Sequence, residues 1–420
     1  VTEGVLTRLL QADPSLAEYG AILFDEFHVR SLHGDLGLAL AWEARNVLRP
    51  DLRLAVLSAT LSAHVLDQTY GPWPGIEVPG RTHPVDVRYR PPVRSETPCW
   101  DHAAHLVREA LDLPVPTWGG TLLVFLPGFR EMTRTAERLR ETAASRRAAV
   151  RLLHGRMPPA EQREVLSPAP DGGVRVILAT NVAETSLTVP GVHVVVDSGL
   201  ERRVRFSPRT GMDHWTTVPA SRASAEQRAG RAGRQGPGVC LRGWDARTRR
   251  EDHAPPAILE ADLAPLVLET ALWGADSPEA LTWITPPPAA GIERAQALLR
   301  TLELMDDGGR LTDMGREAAR LGVHPRLGKM LIAAWGSGHL DTAAAAAALL
   351  ENPAGLADGD VDFRSRLDLL RPKGPKAGPY AEAVRRIHDE AGRLLGALTG
   401  GPRKLSPDRI DPSLAGGVLL

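Results

Sequence analysis

Six short apolar runs constrain the fold more than any other feature of the sequence. They are four to six residues long and mostly separated by segments of helix length: Ala21–Phe24, Ala149–Leu153 and residues 52–57, 121–126, 174–178 and 192–196. Runs this short, bounded by polar residues or glycine, are typical of strands that are buried on both faces of a parallel sheet. Their alternation with helical segments predicts an α/β fold with layered parallel sheets.

Polar residues follow three of these runs. Asp25 and Glu26 follow the first run, Ser58 follows the second, and Thr180 and Asn181 lie just beyond the fifth. In open parallel sheets, ligands bind outside the carboxyl ends of the strands. These positions therefore predict a ligand site at the strand ends.

Strand and helix patterns predict four domains. Residues 1–90 hold only two clear strands and are expected to form the C-terminal part of an α/β domain, and a proline-rich linker separates them from a second α/β domain at 91–250. Beyond residue 250 the periodicity is helical. It predicts a small winged-helix-like domain at 251–319 and a helical bundle at 320–420.

Two hairpin-like turns are also predicted. Residues 304–311 centre on an Asp-Asp-Gly-Gly sequence that is typical of a tight turn. Residues 199–222 carry several arginines together with Phe206 and Trp215, and they predict a hairpin with its turn near residues 208–211. That hairpin either lies on the surface without a ligand or contacts nucleic acid through its basic and aromatic side chains.

Charge is distributed unevenly along the chain. The formal net charge is −1, but residues 201–250 contain twelve arginines and four acidic residues. Such a block is either a solvated basic face or a phosphate-binding surface.

The two cysteines are too few for a disulfide framework, and no apolar stretch approaches the length of a membrane span. These features favour a cytoplasmic location.

The pair Asp25 and Glu26 has the chemistry that hydrolysis of a nucleoside triphosphate requires. One carboxylate can hold Mg²⁺, largely through water, and the other can orient an attacking water molecule. An acidic pair that merely ends a strand is the alternative. The Ser-Ala-Thr sequence at 58–60, after the next strand, favours the catalytic interpretation, although such a sequence alone also fits a helix N-cap.

The arginines of residues 227–234 recur at every third position. Arg228, Arg231 and Arg234 are therefore predicted near one face of a helix that begins here, with Gly230 and Gly233 leaving room for a phosphate or a facing domain. A guanidinium group binds phosphate oxygens through two parallel hydrogen bonds. A solvated basic helix is the alternative, but two glycines make this a poor helix, which favours a functional reason.

Four motifs occur together in this chain: Asp-Glu-Phe-His at 25–28, Ser-Ala-Thr at 58–60, the stretch 179–188 and Gln-Arg-Ala-Gly-Arg-Ala-Gly-Arg at 227–234. In this combination and order the chain resembles the DEAH-box branch of superfamily 2 helicases, and within it the bacterial HrpB-type group. The resemblance implies two RecA-like domains, the first incomplete, followed by winged-helix-like and ratchet-like helical domains. It also implies ATP or another NTP with Mg²⁺, and single-stranded RNA as the partner.

The resemblance also assigns site residues. It implies that Asp25 and Glu26 handle Mg²⁺ and the attacking water and that Ser58 and Thr60 couple hydrolysis to strand binding. The remaining residues implied at the nucleotide are His28, Gln227, Arg231 and Arg234. Those implied at the nucleic acid are Thr2, Gly4, Pro127, Gly128, His154, Gly155, Thr180, Asn181 and Thr185. Taken singly, the loops at 127–128 and 154–155 also fit ordinary strand termination.

The printed sequence contains no Gly-x-x-x-x-Gly-Lys-Ser/Thr phosphate loop. Because the chain also begins inside helix-like sequence and ends on an apolar run, we expect a fragment of an ATP-dependent RNA helicase that alone binds ATP weakly or not at all and exposes an unfinished sheet edge. The alternatives are an inactive nucleic-acid-binding or interaction module, and a non-helicase ATPase with the same core. The retained acidic pair and arginines favour the helicase.

Overall fold

A computed structural model describes the chain except for residues 60–62, 79–82, 114–119, 147, 156, 158, 168–172, 185–186, 352–361, 373, 375–378 and 420. The described residues form two compact units. The terminal unit comprises Val1–Phe24, Arg30–Val56 and Ala257–Leu420, and the central unit comprises Asp25–Val29 and Leu57–Pro256.

The first part of the terminal unit contains a pair of parallel strands. Its elements are α1 (Glu3–Ala12), β1 (Ala21–Phe24), α2 (Leu32–Val47) and β2 (Arg53–Val56). Ala21 lies opposite Arg53 and Phe24 opposite Val56, which confirms the two predicted strands as a parallel pair. Ile22 and Phe24 are buried, whereas Leu23, whose side chain points to the other face, is 64% exposed. The prediction that this strand is buried on both faces is therefore wrong.

The central unit is built on a parallel sheet. Its strands are β3 (Val85–Tyr89), β4 (Thr121–Phe125), β5 (Ala149–Leu153), β6 (Arg175–Ala179), β7 (Val192–Asp197) and β10 (Gly238–Arg242), in the order β3-β10-β7-β4-β6-β5. Its helices are α3 (Ala63–Tyr70), α4 (Cys99–Leu111), α5 (Phe129–Ser145), α6 (Pro159–Leu166) and α7 (Arg222–Gly230). The predicted α/β class with parallel strands is thus confirmed.

Both faces of this sheet are covered. Leu122 and Val124 pack with the apolar side of α4 and α5. Leu123 and Phe125 point to the opposite face, where they pack with residues such as Cys240. Because alternate residues of a strand enter different cores, the inner strand β4 is apolar from Leu122 to Phe125, as the run in the sequence indicated.

Two strands of the sheet were not predicted. β3 has the sequence Val-Asp-Val-Arg-Tyr, and its polar residues are accommodated because the strand lies at the edge of the sheet and is partly exposed. β10 begins with a glycine and ends with an arginine, so it is not a continuous apolar run either. β3 lies before residue 90 but pairs with β10, in register from Val85 opposite Gly238. The division of the chain into four domains stays a prediction.

The predicted basic hairpin is confirmed. It consists of β8 (Leu200–Ser207) and β9 (Met212–Pro219), which pair antiparallel from Leu200 opposite Pro219 to Ser207 opposite Met212. Gly211 adopts a φ of 65° at the turn, a conformation that glycine takes without a steric penalty.

The rest of the terminal unit is helical, as predicted. Its helices are α8 (Ala264–Trp273), α9 (Ala289–Thr301), α10 (Asp313–Leu321), α11 (Pro325–Ala334), α12 (Leu340–Glu351), α13 (Phe363–Asp368), α14 (Pro379–Thr399) and α15 (Ala415–Leu419). The alanine-rich α12 is buried along residues 340–349 and packs against α14. Between α9 and α10, Met305 bridges to Leu311, which confirms the tight turn predicted there. None of the described helices has both the length and the apolar character needed to cross a bilayer.

Candidate functional site

The acidic loop, defined here as Asp25–Val29, follows β1 and is held in place by the backbone. The amide of Phe27 donates to the carbonyl of Leu57 (3.0 Å), and the amide of Ala59 donates to Nδ1 of His28 (3.5 Å). These bonds fix the loop beside the segment that follows β2. The sequence prediction that both strand ends contribute to one site is consistent with this contact.

Glu26 adopts an unusual backbone conformation. Its φ is 50°, in the left-handed region that residues with a side chain seldom occupy, and such strain is concentrated at functional sites. Its carboxylate lies 3.3 Å from Nε2 of His28 and its side chain is 47% exposed. Asp25 is also exposed, and its Oδ1 accepts from the amide of Glu26 (2.8 Å). Both carboxylates therefore remain open to a ligand.

Of the two hydroxyl residues predicted to couple hydrolysis to strand binding, only Ser58 is among the described residues. Ser58 is half buried, next to the acidic loop. Thr60 lies outside the described residues. In the part of the chain that the structure describes, there is no cluster of three or more His, Cys, Asp or Glu side chains that could hold a metal. Mg²⁺ commonly takes only one or two protein carboxylates besides water and substrate phosphates, so exposed Asp25 and Glu26 fit that ion.

Three predicted nucleic-acid loops lie side by side at the carboxyl edge of the sheet. They follow the neighbouring strands β4, β6 and β5, and the amide of Thr180 donates to the carbonyl of Leu153 (3.3 Å). Gly155 and Asn181 are exposed, whereas Thr180 and His154 are half buried. The topology therefore brings together residues that are up to 54 positions apart in sequence.

Pro127 and Gly128 are buried at the same edge, immediately before α5. A Cβ added to Gly128 would lie 2.8 Å from the Cζ of Arg202 and 2.8 Å from Oε2 of Glu131. The Arg202 and Glu131 side chains, 3.5 Å apart, thus cover this glycine. Thr185, predicted for the same surface, lies outside the described residues, and Thr2 and Gly4 lie at the start of α1 in the terminal unit.

The arginine segment differs from the single helix predicted over residues 227–234. A helix begins earlier, at Arg222, with the hydroxyl of Ser221 as its N-cap, and ends at Gly230, after which Arg231–Gly233 forms a 3₁₀ turn. The expectation that all three arginines share one phosphate-facing side is therefore wrong. Arg228 and Arg231 are buried and only Arg234 is exposed. Gln227 is half buried.

Arg228 is the centre of a buried charge cluster, which we call the Arg228 cluster: Arg228, Glu184, Asp197 and Glu201. Its Nε donates to Glu184 (2.8 Å), Nη1 to Asp197 (3.0 Å) and Nη2 to Glu201 (3.3 Å). Burial alone would lower the pKa of Arg228, but the three carboxylates outweigh it and raise that pKa above its ordinary value. Arg228 therefore stays charged and serves the fold rather than a ligand.

Arg231 is held by backbone oxygens. Its Nε donates to the carbonyl of Glu184 (3.0 Å), Nη2 donates to the same carbonyl, and Nη1 donates to the carbonyl of Leu187 (2.9 Å). Burial and, to a lesser extent, the charge of Arg234 lower its pKa to about 10, against the opposing charges of Glu184 and Glu26. Glu26 of the acidic loop is thus near enough to act on Arg231. This electrostatic influence links two motifs that the sequence predicted to share the nucleotide.

The two glycines of the arginine segment have different roles. A Cβ on Gly233 would lie 2.5 Å from the carbonyl oxygen of His83, so this glycine allows the segment before β3 to pack closely. The room predicted here for a phosphate or a facing domain is not found at Gly233. A Cβ on Gly230 would meet nothing within 4 Å. Gly230 therefore remains open, as the sequence suggested.

Alanine substitutions should separate these roles. We expect Gly233→Ala to lower the free energy of unfolding by about 1–3 kcal/mol, because the backbone must move to relieve the contact. The matched change Gly230→Ala should leave it unchanged or raise it by up to about 1 kcal/mol, since Gly230 has helical φ and ψ. Urea unfolding of both variants measures the difference, and equal losses would contradict the assignment.

Sequence reasoning missed Glu184, Asp197 and Glu201 as partners of Arg228. The available signal was Asp197, an acidic residue directly after the valine run of β7 and therefore at a buried strand end. Glu184 lies inside the stretch 179–188, where only its neutral neighbours Thr180, Asn181 and Thr185 were predicted as site residues.

Comparisons with known proteins agree with these features. A family model described as helicase conserved C-terminal domain matches residues 105–236. The chain is 40% identical over 363 residues to the ATP-dependent RNA helicase HrpB of Escherichia coli K12, covering 86% of this chain and 44% of that protein. It is 37% identical to the human probable ATP-dependent RNA helicase DHX34, covering 79% of this chain and 30% of that protein.

Solved structures give the same result. The crystal structure of the E. coli DEAH/RHA helicase HrpB superposes with a TM-score of 0.81 at 36% identity, covering 95% of this chain and 51% of that one. This chain thus spans about half the length of E. coli HrpB and 30% of human DHX34. By its motifs, its sheet and this similarity, the chain belongs to the HrpB-type DEAH-box helicases.

Proposed function

We propose that this chain is part of an ATP-dependent RNA helicase that couples hydrolysis of ATP, or another NTP, to movement along single-stranded RNA. The observation that carries the proposal is the acidic loop, in which the exposed Glu26 has a φ of 50° and the amide of Phe27 donates to the carbonyl of Leu57 after β2. The charge of Glu26 also opposes the lowering of the pKa of Arg231, which supports a shared site. An acidic group for water and a cationic group for phosphate are the two requirements of phosphoryl transfer to water. The relatives' names, which include ATP-dependent RNA helicase, support the same activity.

At the nucleotide, Asp25 would hold Mg²⁺ largely through water, and that ion would neutralise phosphate charge when bound. Glu26 would orient the attacking water. Nε2 of His28 lies 3.3 Å from the Glu26 carboxylate and would limit the movement of that carboxylate. Because both carboxylates are exposed, neither has to break a buried ion pair to take up these roles.

The cations would act on the transferred phosphate. Arg234 is exposed and close enough to Arg231 to lower its pKa, so it is the arginine that a phosphate would reach first. Arg231 would follow by donating to a phosphate oxygen while the carbonyls of Glu184 and Leu187 still hold its guanidinium group. Gln227 lies one helical turn before it. Open space at Gly230 leaves room for this approach.

At the nucleic acid, the loops after β4, β5 and β6 would contact the sugar-phosphate backbone. Thr180 and Asn181 offer neutral donors and acceptors, which suit backbone contacts that do not depend on base sequence. We further propose that Ser58 and Thr60 couple the two sites, that the domain limits are 90, 250 and 319, and that the protein is cytoplasmic.

The test is ATP hydrolysis with and without single-stranded RNA, together with RNA binding measured by fluorescence anisotropy. The 420-residue chain is compared with a longer product of the same reading frame that includes a phosphate loop. We expect both to bind RNA with an affinity that falls as salt rises, and only the longer one to hydrolyse ATP in an RNA-stimulated manner.

Two results would contradict the proposal. If neither polypeptide binds RNA, the nucleic-acid assignment is wrong. If both bind RNA and the longer one shows no hydrolysis, the chain is instead an inactive binding module.

A further inference from the structure

Glu184 contacts two arginines through different atoms. Its carboxylate accepts from Nε of Arg228 at 2.8 Å, and its main-chain carbonyl accepts from Nε of Arg231 at 3.0 Å. The residue lies at the end of the 3₁₀ turn Asn181–Ala183, directly after the predicted RNA-facing residues Thr180 and Asn181. A displacement of this loop therefore displaces an acceptor of Arg231.

Arg228 restricts how Glu184 can move. Besides Glu184 it binds Asp197, the last residue of β7, and both Glu201 and the carbonyl of Leu200 at the start of β8 (3.2 Å to the carbonyl). Its guanidinium group also lies 5.2 Å from the centre of the Phe125 ring at the end of β4. One side chain on α7 thus connects two strand ends, the loop after β6 and the base of the hairpin.

Burial makes these connections rigid. Arg228 is 1% exposed and Asp197 is fully buried, so neither charge can exchange its partner for water at small cost. The guanidinium fork has a fixed geometry, and it engages three carboxylates at once. A change in position at one member of the Arg228 cluster is therefore transmitted to the others.

We propose that Glu184 and Arg228 are positioning residues that couple the loop after β6 to Arg231 and to the hairpin. The proposal rests on the proposed function for the identity of the two ligands, RNA at the loop and a nucleotide phosphate at Arg231. RNA that fixes the loop also fixes the carbonyls of Glu184 and Leu187, and thereby the guanidinium of Arg231. Because coupling between sites is reciprocal, phosphate at Arg231 would act on RNA affinity by the same factor.

Hydrogen–deuterium exchange of the 420-residue chain, with and without a single-stranded oligouridylate, tests this coupling. In the wild type, RNA should slow exchange in the peptide covering residues 180–189 and also in the peptide covering 227–234. In Glu184→Gln, which keeps the carbonyl but removes the charge, RNA should still protect 180–189. Its protection of 227–234 should fall by about tenfold or more.

The control is Glu226→Gln on the same helix. Glu226 is exposed, and its carboxylate is 3.9 Å from the exposed Arg222, so the same change of charge should leave both peptides as in the wild type. A purely structural role of Glu184 would lower the melting temperature and raise exchange in both peptides equally, with and without RNA. The ratio of the exchange rates of the two peptides would then stay as in the wild type. If Glu184→Gln does not fold, Arg228→Lys takes its place, because it keeps the charge but loses the fork.

The outcomes separate the two proposals. RNA protection of 180–189 without protection of 227–234 in the wild type overturns the coupling and leaves the RNA site intact. Unchanged coupling in Glu184→Gln overturns it as well. If RNA protects neither peptide, the proposed function fails. The coupling, which rests on RNA at the loop, is then overturned with it.

Discussion

Replacing Arg228 with methionine is expected to lower the free energy of unfolding by about 3–5 kcal/mol, the loss typical of breaking a buried ion pair from one side. Methionine has a similar length and fills most of the space, so the loss arises from charge and not from a cavity. Glu184, Asp197 and Glu201 would be left without their shared cation, two of them 12–13% exposed and Asp197 fully buried. Urea unfolding, followed by far-ultraviolet circular dichroism and tryptophan fluorescence, measures the change.

Arg222→Met provides the matched control. Arg222 begins the same helix, but its side chain is 65% exposed and its ion pair with Asp252 (3.2 Å) is on the surface, where such pairs contribute about 0–1 kcal/mol. The double variant Arg228→Met with Glu184→Gln should lose less than the sum of the two single changes, because one unpaired carboxylate is removed with the cation. Equal losses in Arg228→Met and Arg222→Met would show that the Arg228 cluster does not stabilise the fold.

The apolar strands of the central unit could be predicted from sequence for a simple physical reason. Strands such as β4 and β7 are buried on both faces, so most of their positions are apolar and the run stands out from its surroundings. The strand ends follow from the same pattern, which is why Asp25, Glu26, Thr180 and Asn181 could be assigned to a ligand edge. β3 and β10 could not, since an edge strand and a short strand with polar ends lack this signal.

Which of the three arginines in residues 227–234 are buried and which is exposed could not be predicted. Their spacing is regular, yet Arg228 and Arg231 are buried and Arg234 is exposed. The difference depends on carboxylates and carbonyls that lie 27 to 47 positions away in sequence and approach only when β6, β7 and β8 are in place. Periodicity along one helix contains no information about such partners. It also did not reveal that the helix would end at Gly230.

Replacing Glu26 with glutamine is the change expected to have the largest effect on catalysis. In a form of the protein that hydrolyses ATP, kcat should fall by about 10²–10⁴-fold, the usual contribution of a group that accepts or orients a proton in the transition state. Glutamine has the same shape and retains hydrogen bonding, but it cannot act as a base. The side chain is 47% exposed, so the fold should not be affected.

The measurement is steady-state hydrolysis at saturating RNA, with RNA affinity determined in parallel. RNA affinity should be unchanged, because the loops after β4, β5 and β6 are not altered. Glu141→Gln, an exposed position on α5, is the control for loss of a surface charge and should keep full activity. A rise in KM with kcat preserved would mean that Glu26 contributes to binding the nucleotide and not to activating water. The role of the acidic loop would then rest on Asp25, which is the only other carboxylate within Asp25–Val29.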